Sequence, residues 1–200
     1  MVDGASKSST CTTCPAGSYS ESSGAAECAV CPEGSYSAVL GASSSTTCTP
    51  CPAGSYSESS GVSECPACPV GSYSTEAGAS SSATCTPCTA GSYSAAAGAS
   101  NSSTCTPCAA GSYSESSGVA ECTPCPVGSY STEAGGVNSA TCTLCPAGNF
   151  SKSSGVAGCA ACPAGSYSET LGAAECTTCP AGSHSTAVGA SNSTTCTSCP

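Results

Sequence analysis

Twenty-two cysteines among 200 residues, set as eleven C-x-x-C pairs in single file, constrain this chain more than any other feature. The pairs open at Cys11, Cys28, Cys48, Cys65, Cys85, Cys105, Cys122, Cys142, Cys159, Cys176 and Cys196, and the steps between them take only two lengths, 17 and 20 residues. Cysteine at this density marks a chain held together by disulfides in an oxidising compartment. The apolar inventory agrees: there is no Trp or Ile, Phe150 is the single Phe, and Leu occurs only at Leu40, Leu144 and Leu171. Burying a Leu or Phe contributes roughly 1.5–3 kcal/mol, whereas ordering each residue costs about 1–2 kcal/mol of backbone entropy. So few large side chains cannot offset that cost, and covalent links must.

The repeating unit reads C-x-x-C-P-x-G-S-Y-S, with a second glycine five residues after the Tyr and a small polar tail before the next pair. Each unit has one ring, at Tyr19, Tyr36, Tyr56, Tyr73, Tyr93, Tyr113, Tyr130, Phe150, Tyr167 and His184. Pro fixes φ after the second cysteine, and the first glycine (Gly17, Gly34, Gly54 and equivalents) supplies a positive-φ turn. Ser-Tyr-Ser then reads as a short strand with the ring as its one large buried group. The second glycine turns the chain back toward the next pair. Short units end as in Gly61-Val62-Ser63-Glu64-Cys65; long ones insert three residues, as in Gly98-Ala99-Ser100-Asn101-Ser102-Ser103-Thr104-Cys105. No stretch has helical periodicity.

These signals predict a small disulfide-rich fold: an elongated tandem array of short β-hairpin/coil modules, with one disulfide loop per unit and contacts mainly between neighbours. Residues 1–10 read as the tail of a preceding truncated repeat, 11–195 as ten tandem repeats of 17 or 20 residues, and 196–200 as the start of a further one. Met1 is followed by Val2, Asp3, Gly4 and polar residues, with no apolar leader stretch, so the chain reads as a window on a longer array whose N-terminus lies elsewhere.

Three pairing schemes repeat from unit to unit. A C-x-x-C pair could close on itself, a geometry found mostly at redox sites, or a first cysteine could cross its neighbours to the second cysteine one unit on. The expected scheme joins the second cysteine of one pair to the first of the next: Cys14–Cys28, Cys31–Cys48, Cys51–Cys65, Cys68–Cys85, Cys88–Cys105, Cys108–Cys122, Cys125–Cys142, Cys145–Cys159, Cys162–Cys176 and Cys179–Cys196. Each such loop is worth roughly 3 kcal/mol in lost unfolded-state entropy. Cys11 and Cys199 are then left over.

The stretch from Cys11 to Pro200 resembles the cysteine-rich repeats of ephrin-receptor-like extracellular regions and of ciliate surface immobilisation antigens. The matching residues are those of Cys48-Thr49-Pro50-Cys51-Pro52-Ala53-Gly54-Ser55-Tyr56-Ser57 and their equivalents. The single-disulfide loop is also similar to the simplest module of tumour-necrosis-factor receptors, and that analogy supports the pairing. The chain departs from the receptors in lacking mixed modules; its nearly uniform, Ser/Thr/Ala-rich units look more like microbial surface coats, stalks or extracellular filaments such as flagellar hairs.

Charge excludes several functions. Lys7 and Lys152 stand against twelve acidic residues, for a net charge of −10, so there is no basic patch to displace counterions from a nucleic acid. No apolar run is long enough to span a bilayer. Zinc ribbons fit the cysteine spacing, but eleven pairs in single file lack the charged residues usual between zinc knuckles, so no metal or other cofactor is expected. His184 reads as a substituted ring, and no second His exists to activate a nucleophile; no catalytic residue is expected. The recurrent acids Glu21, Glu58, Glu115 and Glu169, with Glu27, Glu64, Glu121 and Glu175, lack the clustered Asp/Asn loop of a calcium site and read as solvated surface. N-x-S/T acceptors mark Asn101, Asn149 and Asn192 for glycans, two of them in long tails expected to be exposed. The function expected is therefore a structural extracellular glycoprotein that self-associates into a rod, coat or fibre. The alternative is a receptor or adhesin spacer that binds a protein partner.

Overall fold

The computed structural model describes residues 13–200. The expected tail over residues 1–10, Lys7 and Cys11 lie outside the described residues. Among those described, two-residue strands pair into nine antiparallel ribbons, and the only helical pieces are five 3₁₀ turns. Ten disulfides, from Cys14–Cys28 to Cys179–Cys196, each close one loop. Sequence separation across the bridge is 14 in short loops and 17 in long ones. This is the tandem, disulfide-rich module architecture that the spacing predicts.

By contact, the chain separates into two compact bodies. One comprises the described part of Met1–Pro69 with Tyr73–Thr86 and Gly98–Asn101; the other comprises Val70–Ser72, Pro87–Ala97 and Ser102–Pro200.

In the first body, loop Cys31–Cys48 shows how a unit is built. Gly34 takes φ +75°, which lets the N–H and hydroxyl of Ser35 both donate to the Pro32 carbonyl, at 3.1 and 2.7 Å. Ser35–Tyr36 then pairs with Thr49–Pro50, Tyr36 opposite Thr49, and Cys51 N–H closes the ribbon onto the Gly34 carbonyl at 2.9 Å. Three backbone bonds tie this loop to the next: Gly34 N–H to Ser57 O (2.9 Å), Ser37 N–H to Val62 O (3.2 Å) and Gly61 N–H to Cys31 O (2.8 Å). The second body repeats the set with Gly128 N–H to Ser151 O, Ser131 N–H to Val156 O and Gly155 N–H to Cys125 O.

Loop Cys51–Cys65 departs from the pattern for a chemical reason. Its ribbon shrinks to a single bridge, Ser55 opposite Ala67. Tyr56 N–H still donates to Pro66 O at 3.0 Å, but Pro66, between Cys65 and Cys68, has no N–H to return the bond. Proline one position later, as at Pro50 or Pro107, leaves its ribbon intact.

One expectation needs correction. The rings are not the buried groups: the tyrosines and Phe150 are half-buried and His184 is exposed. What is fully enclosed is small. Cys31, Cys51, Cys68, Cys108, Cys125, Cys145 and Cys162 are 0 % exposed, and most of the serines flanking the rings are buried. Loops this short leave no interior wide enough for a ring, so disulfide sulfur and hydrogen-bonded serine fill the centre. Contacts also reach beyond the adjacent loop. In the first body Gly54 lies against the backbone of Gly98, two loops on, and in the second Gly71 lies against Gly118. A Cβ on either glycine would overlap the facing carbonyl. This reach is why Gly98–Asn101 belongs with the first body and Val70–Ser72 with the second.

Candidate interaction surface and modification sites

The three residues that lengthen a long loop fold into the 3₁₀ turns, at Ser45–Thr47, Ser82–Thr84, Ser102–Thr104, Ser139–Thr141 and Ser193–Thr195. Ser44, Ser81, Asn138 and Asn192 cap four of them, each side chain accepting from the N–H two residues on. Short polar side chains are suited to this role because they reach the free N–H groups of a first turn.

A carboxylate from the preceding short loop meets each of these four capped turns. Glu21 accepts from Ser45 N–H and hydroxyl at 3.1 and 2.7 Å. Glu58 accepts from Ser82 N–H at 2.8 Å, Glu115 from Ser139 N–H at 3.1 Å and Glu169 from Ser193 N–H at 2.9 Å. These bonds hold three of the carboxyls below the ordinary glutamate range. The Ser45 hydroxyl leads at Glu21, the Ser82 hydroxyl at Glu58 and the Ser193 N–H at Glu169. Glu21, Glu58, Glu115 and Glu169 are therefore exposed but engaged, which corrects their reading as plain solvated surface. The signal was in the sequence: each of the four stands two residues after a ring, one unit ahead of a long tail. In the other acidic set, Glu175 lies 3.8 Å from Lys152, both largely exposed.

The sequon residues have different surroundings. Asn192 is exposed, and its Oδ1 accepts from Thr194 N–H at 3.1 Å and from the Thr194 hydroxyl. Asn101 is exposed at the start of its turn. Asn149 instead occupies the strand Asn149–Phe150, half-buried, with Nδ2 3.5 Å from the Ala147 carbonyl that it faces.

Concave surface is modest and repeats itself. Tyr56, Glu58, Val62, Glu64 and Pro66 line a groove of about 470 Å³, and Tyr113, Glu115, Val119, Glu121 and Thr123 line its counterpart of about 230 Å³. Among the described residues there is no group of three or more His, Cys, Asp or Glu placed to hold a metal ion, and no helix long and apolar enough to cross a membrane. The thiol of Cys199 is exposed and lies 3.9 Å from His184 Nδ1.

A search of curated proteins found none that matches the chain. The family model for tyrosine-protein kinase ephrin type A/B receptor-like repeats does match, over residues 4–48, 43–85, 97–142, 111–157, 134–173 and 148–196. Repeats of this kind are a cysteine-rich, extracellular domain type without catalytic function. With most of its length covered by six overlapping matches, the chain belongs to the ephrin-receptor-like cysteine-rich repeat family.

Proposed function

We propose that this chain is the repeat region of a structural extracellular glycoprotein, and that it builds a rod, surface coat or filament by self-association. The observation that carries this reading is uniformity. Six of the nine loop-to-loop junctions make the same three backbone bonds and the other three make at least two of them, and two grooves are built from equivalent residues of different loops. A receptor site needs one patch unlike the rest, whereas repetition favours many weak, equivalent contacts whose avidity sums. A contact between copies that does not close on itself propagates into a fibre.

Glycans at Asn101 and Asn192 complete the proposal, since these asparagines are exposed on the added turns. Asn149 should carry less, because its Nδ2, the atom to be modified, faces the Ala147 carbonyl in a half-buried strand. Ten tandem repeats over residues 11–195 remain the proposed organisation.

Electron microscopy of the native protein, with intact-mass analysis of the secreted chain, tests both parts. Fibres or coats whose subunits touch through the repeats, with sugar mass at Asn101 and Asn192, are the expected result. A strictly monomeric chain at high concentration, binding one protein partner through one loop, would overturn the proposal in favour of a receptor or adhesin spacer.

A further inference from the structure

Five of the ten disulfide loops are short and five are long, and the length of the loop that follows each short one tracks one side chain. We infer that the residue two places after each ring matches a short loop to the length of its successor: a carboxylate there fits a long successor, an ammonium a short one.

Four short loops carry Glu at this position: Cys14–Cys28 (Glu21), Cys51–Cys65 (Glu58), Cys108–Cys122 (Glu115) and Cys162–Cys176 (Glu169). Each is followed by a long loop, namely Cys31–Cys48, Cys68–Cys85, Cys125–Cys142 and Cys179–Cys196. The fifth short loop, Cys145–Cys159, carries Lys152 instead, and its successor Cys162–Cys176 is short. Long loops have uncharged Ala38, Thr75, Ala95 or Thr132 at the position and are followed by loops of both lengths.

The geometry supplies the reason. The three added residues of a long loop form a 3₁₀ turn whose first N–H has no partner within the turn, and in the four long loops that follow a short one the Glu of that short loop accepts from it at 2.8–3.1 Å. A short loop has no such turn. It ends instead in Glu175-Cys176, and the carboxylate meets Lys152 at 3.8 Å. Exchanging Glu for Lys at either kind of junction removes the attraction and sets like against like: an ammonium against N–H donors, or a carboxylate against Glu175. Glu58 and Lys152 are thus positioning residues, and loops that look interchangeable in sequence are specific for their neighbours.

Two mutant cycles in the 200-residue chain, disulfides intact, test the rule by amide hydrogen exchange. The first joins Glu58→Lys with removal of Ser80–Ser82 plus Thr84→Glu, which gives loop Cys68–Cys85 a short tail. Its reporter is the Gly78 amide, bonded to Cys51 O at 2.7 Å across the junction. The second joins Lys152→Glu with Glu175→Lys and is read at the Gly172 amide, bonded to Cys145 O at 2.8 Å. Each single change should speed exchange about two- to fivefold, and each combination should restore protection. Effects that merely multiply in both cycles would overturn the rule, as would a shortened loop that fails to fold with Glu58→Lys and without it alike.

Discussion

Replacing Gly54 by alanine should be far more damaging than replacing Gly24, although the two glycines have nearly the same backbone conformation. Their φ values are +86° and +76°. A Cβ in that region costs roughly 1–2 kcal/mol, partly offset by about 0.4–1 kcal/mol gained from a stiffer unfolded chain. Gly24→Ala, with nothing within 4 Å of the new methyl, should therefore cost about 1 kcal/mol. At Gly54 the methyl would overlap the Gly98 carbonyl and sit 3.0 Å from the Ala99 oxygen. Neither neighbour is the flexible end of a side chain, so two backbones must move apart. Overpacking of this kind adds roughly 1–3 kcal/mol. At about 1.4 kcal/mol per factor of ten, opening of the Gly54 junction should exceed that of the Gly24 junction by roughly five- to 150-fold. Hydrogen exchange reads this at Ser57 N–H, bonded to Ala79 O at 2.9 Å, and at Ser20 N–H, bonded to Ala42 O at 2.9 Å. Equal effects at the two sites would refute the tight approach between loops two apart.

Acidification should release the turns before it disturbs the ribbons. The carboxyls of Glu21, Glu58 and Glu169 are lowered in the folded chain, so their contribution is complete above the unfolded glutamate pKa and is lost as pH falls through the lowered values. Exchange at Ser45, Ser82 and Ser193, corrected for its intrinsic pH dependence, should rise only there; a rise near neutrality would contradict the assignment. Buried serines should divide by their partners. Ser57→Ala removes a 2.8 Å bond to Ser59 O and should cost about 1 kcal/mol, whereas Ser94, whose buried hydroxyl has no partner, should tolerate Ala at no cost or gain stability. Denaturation midpoints that rank the two the other way would show the Ser94 hydroxyl to be satisfied.

Much of this architecture was legible because the chain has so few ways to fold. Two C-x-x-C spacings, a proline and two glycines per unit dictate a hairpin closed by one bridge, and the ribbons beside Tyr36, Tyr130 and Tyr167 follow that pattern. Periodicity in one dimension does not reveal the distance over which loops touch. The Gly54–Gly98 approach arises from how successive loops are displaced from one another, which depends on torsions that no single unit displays. The ring misled for a related reason. Tyr is the largest apolar group available, but closure of a 14-residue bridge leaves space only for sulfur, serine and alanine, so Cys51 and Ser57 are enclosed while Tyr56 stays half-exposed. The Glu58–Ser82 bond joins residues 24 apart. It was hidden by treating each unit alone; the correlation becomes visible only when a residue is compared with the length of the following unit.

Peptide mapping of the native chain without reduction tests the central claim most directly, because every ribbon and every loop-to-loop bond depends on which cysteines are joined. Proteolysis with free thiols blocked should recover Cys51 linked to Cys65, Cys108 linked to Cys122 and Cys145 linked to Cys159, each within one continuous stretch of chain. Strong reductant should then abolish amide protection throughout. Links inside a C-x-x-C pair, such as Cys65 to Cys68, or free thiols accompanied by stoichiometric zinc would contradict the stapled-loop architecture.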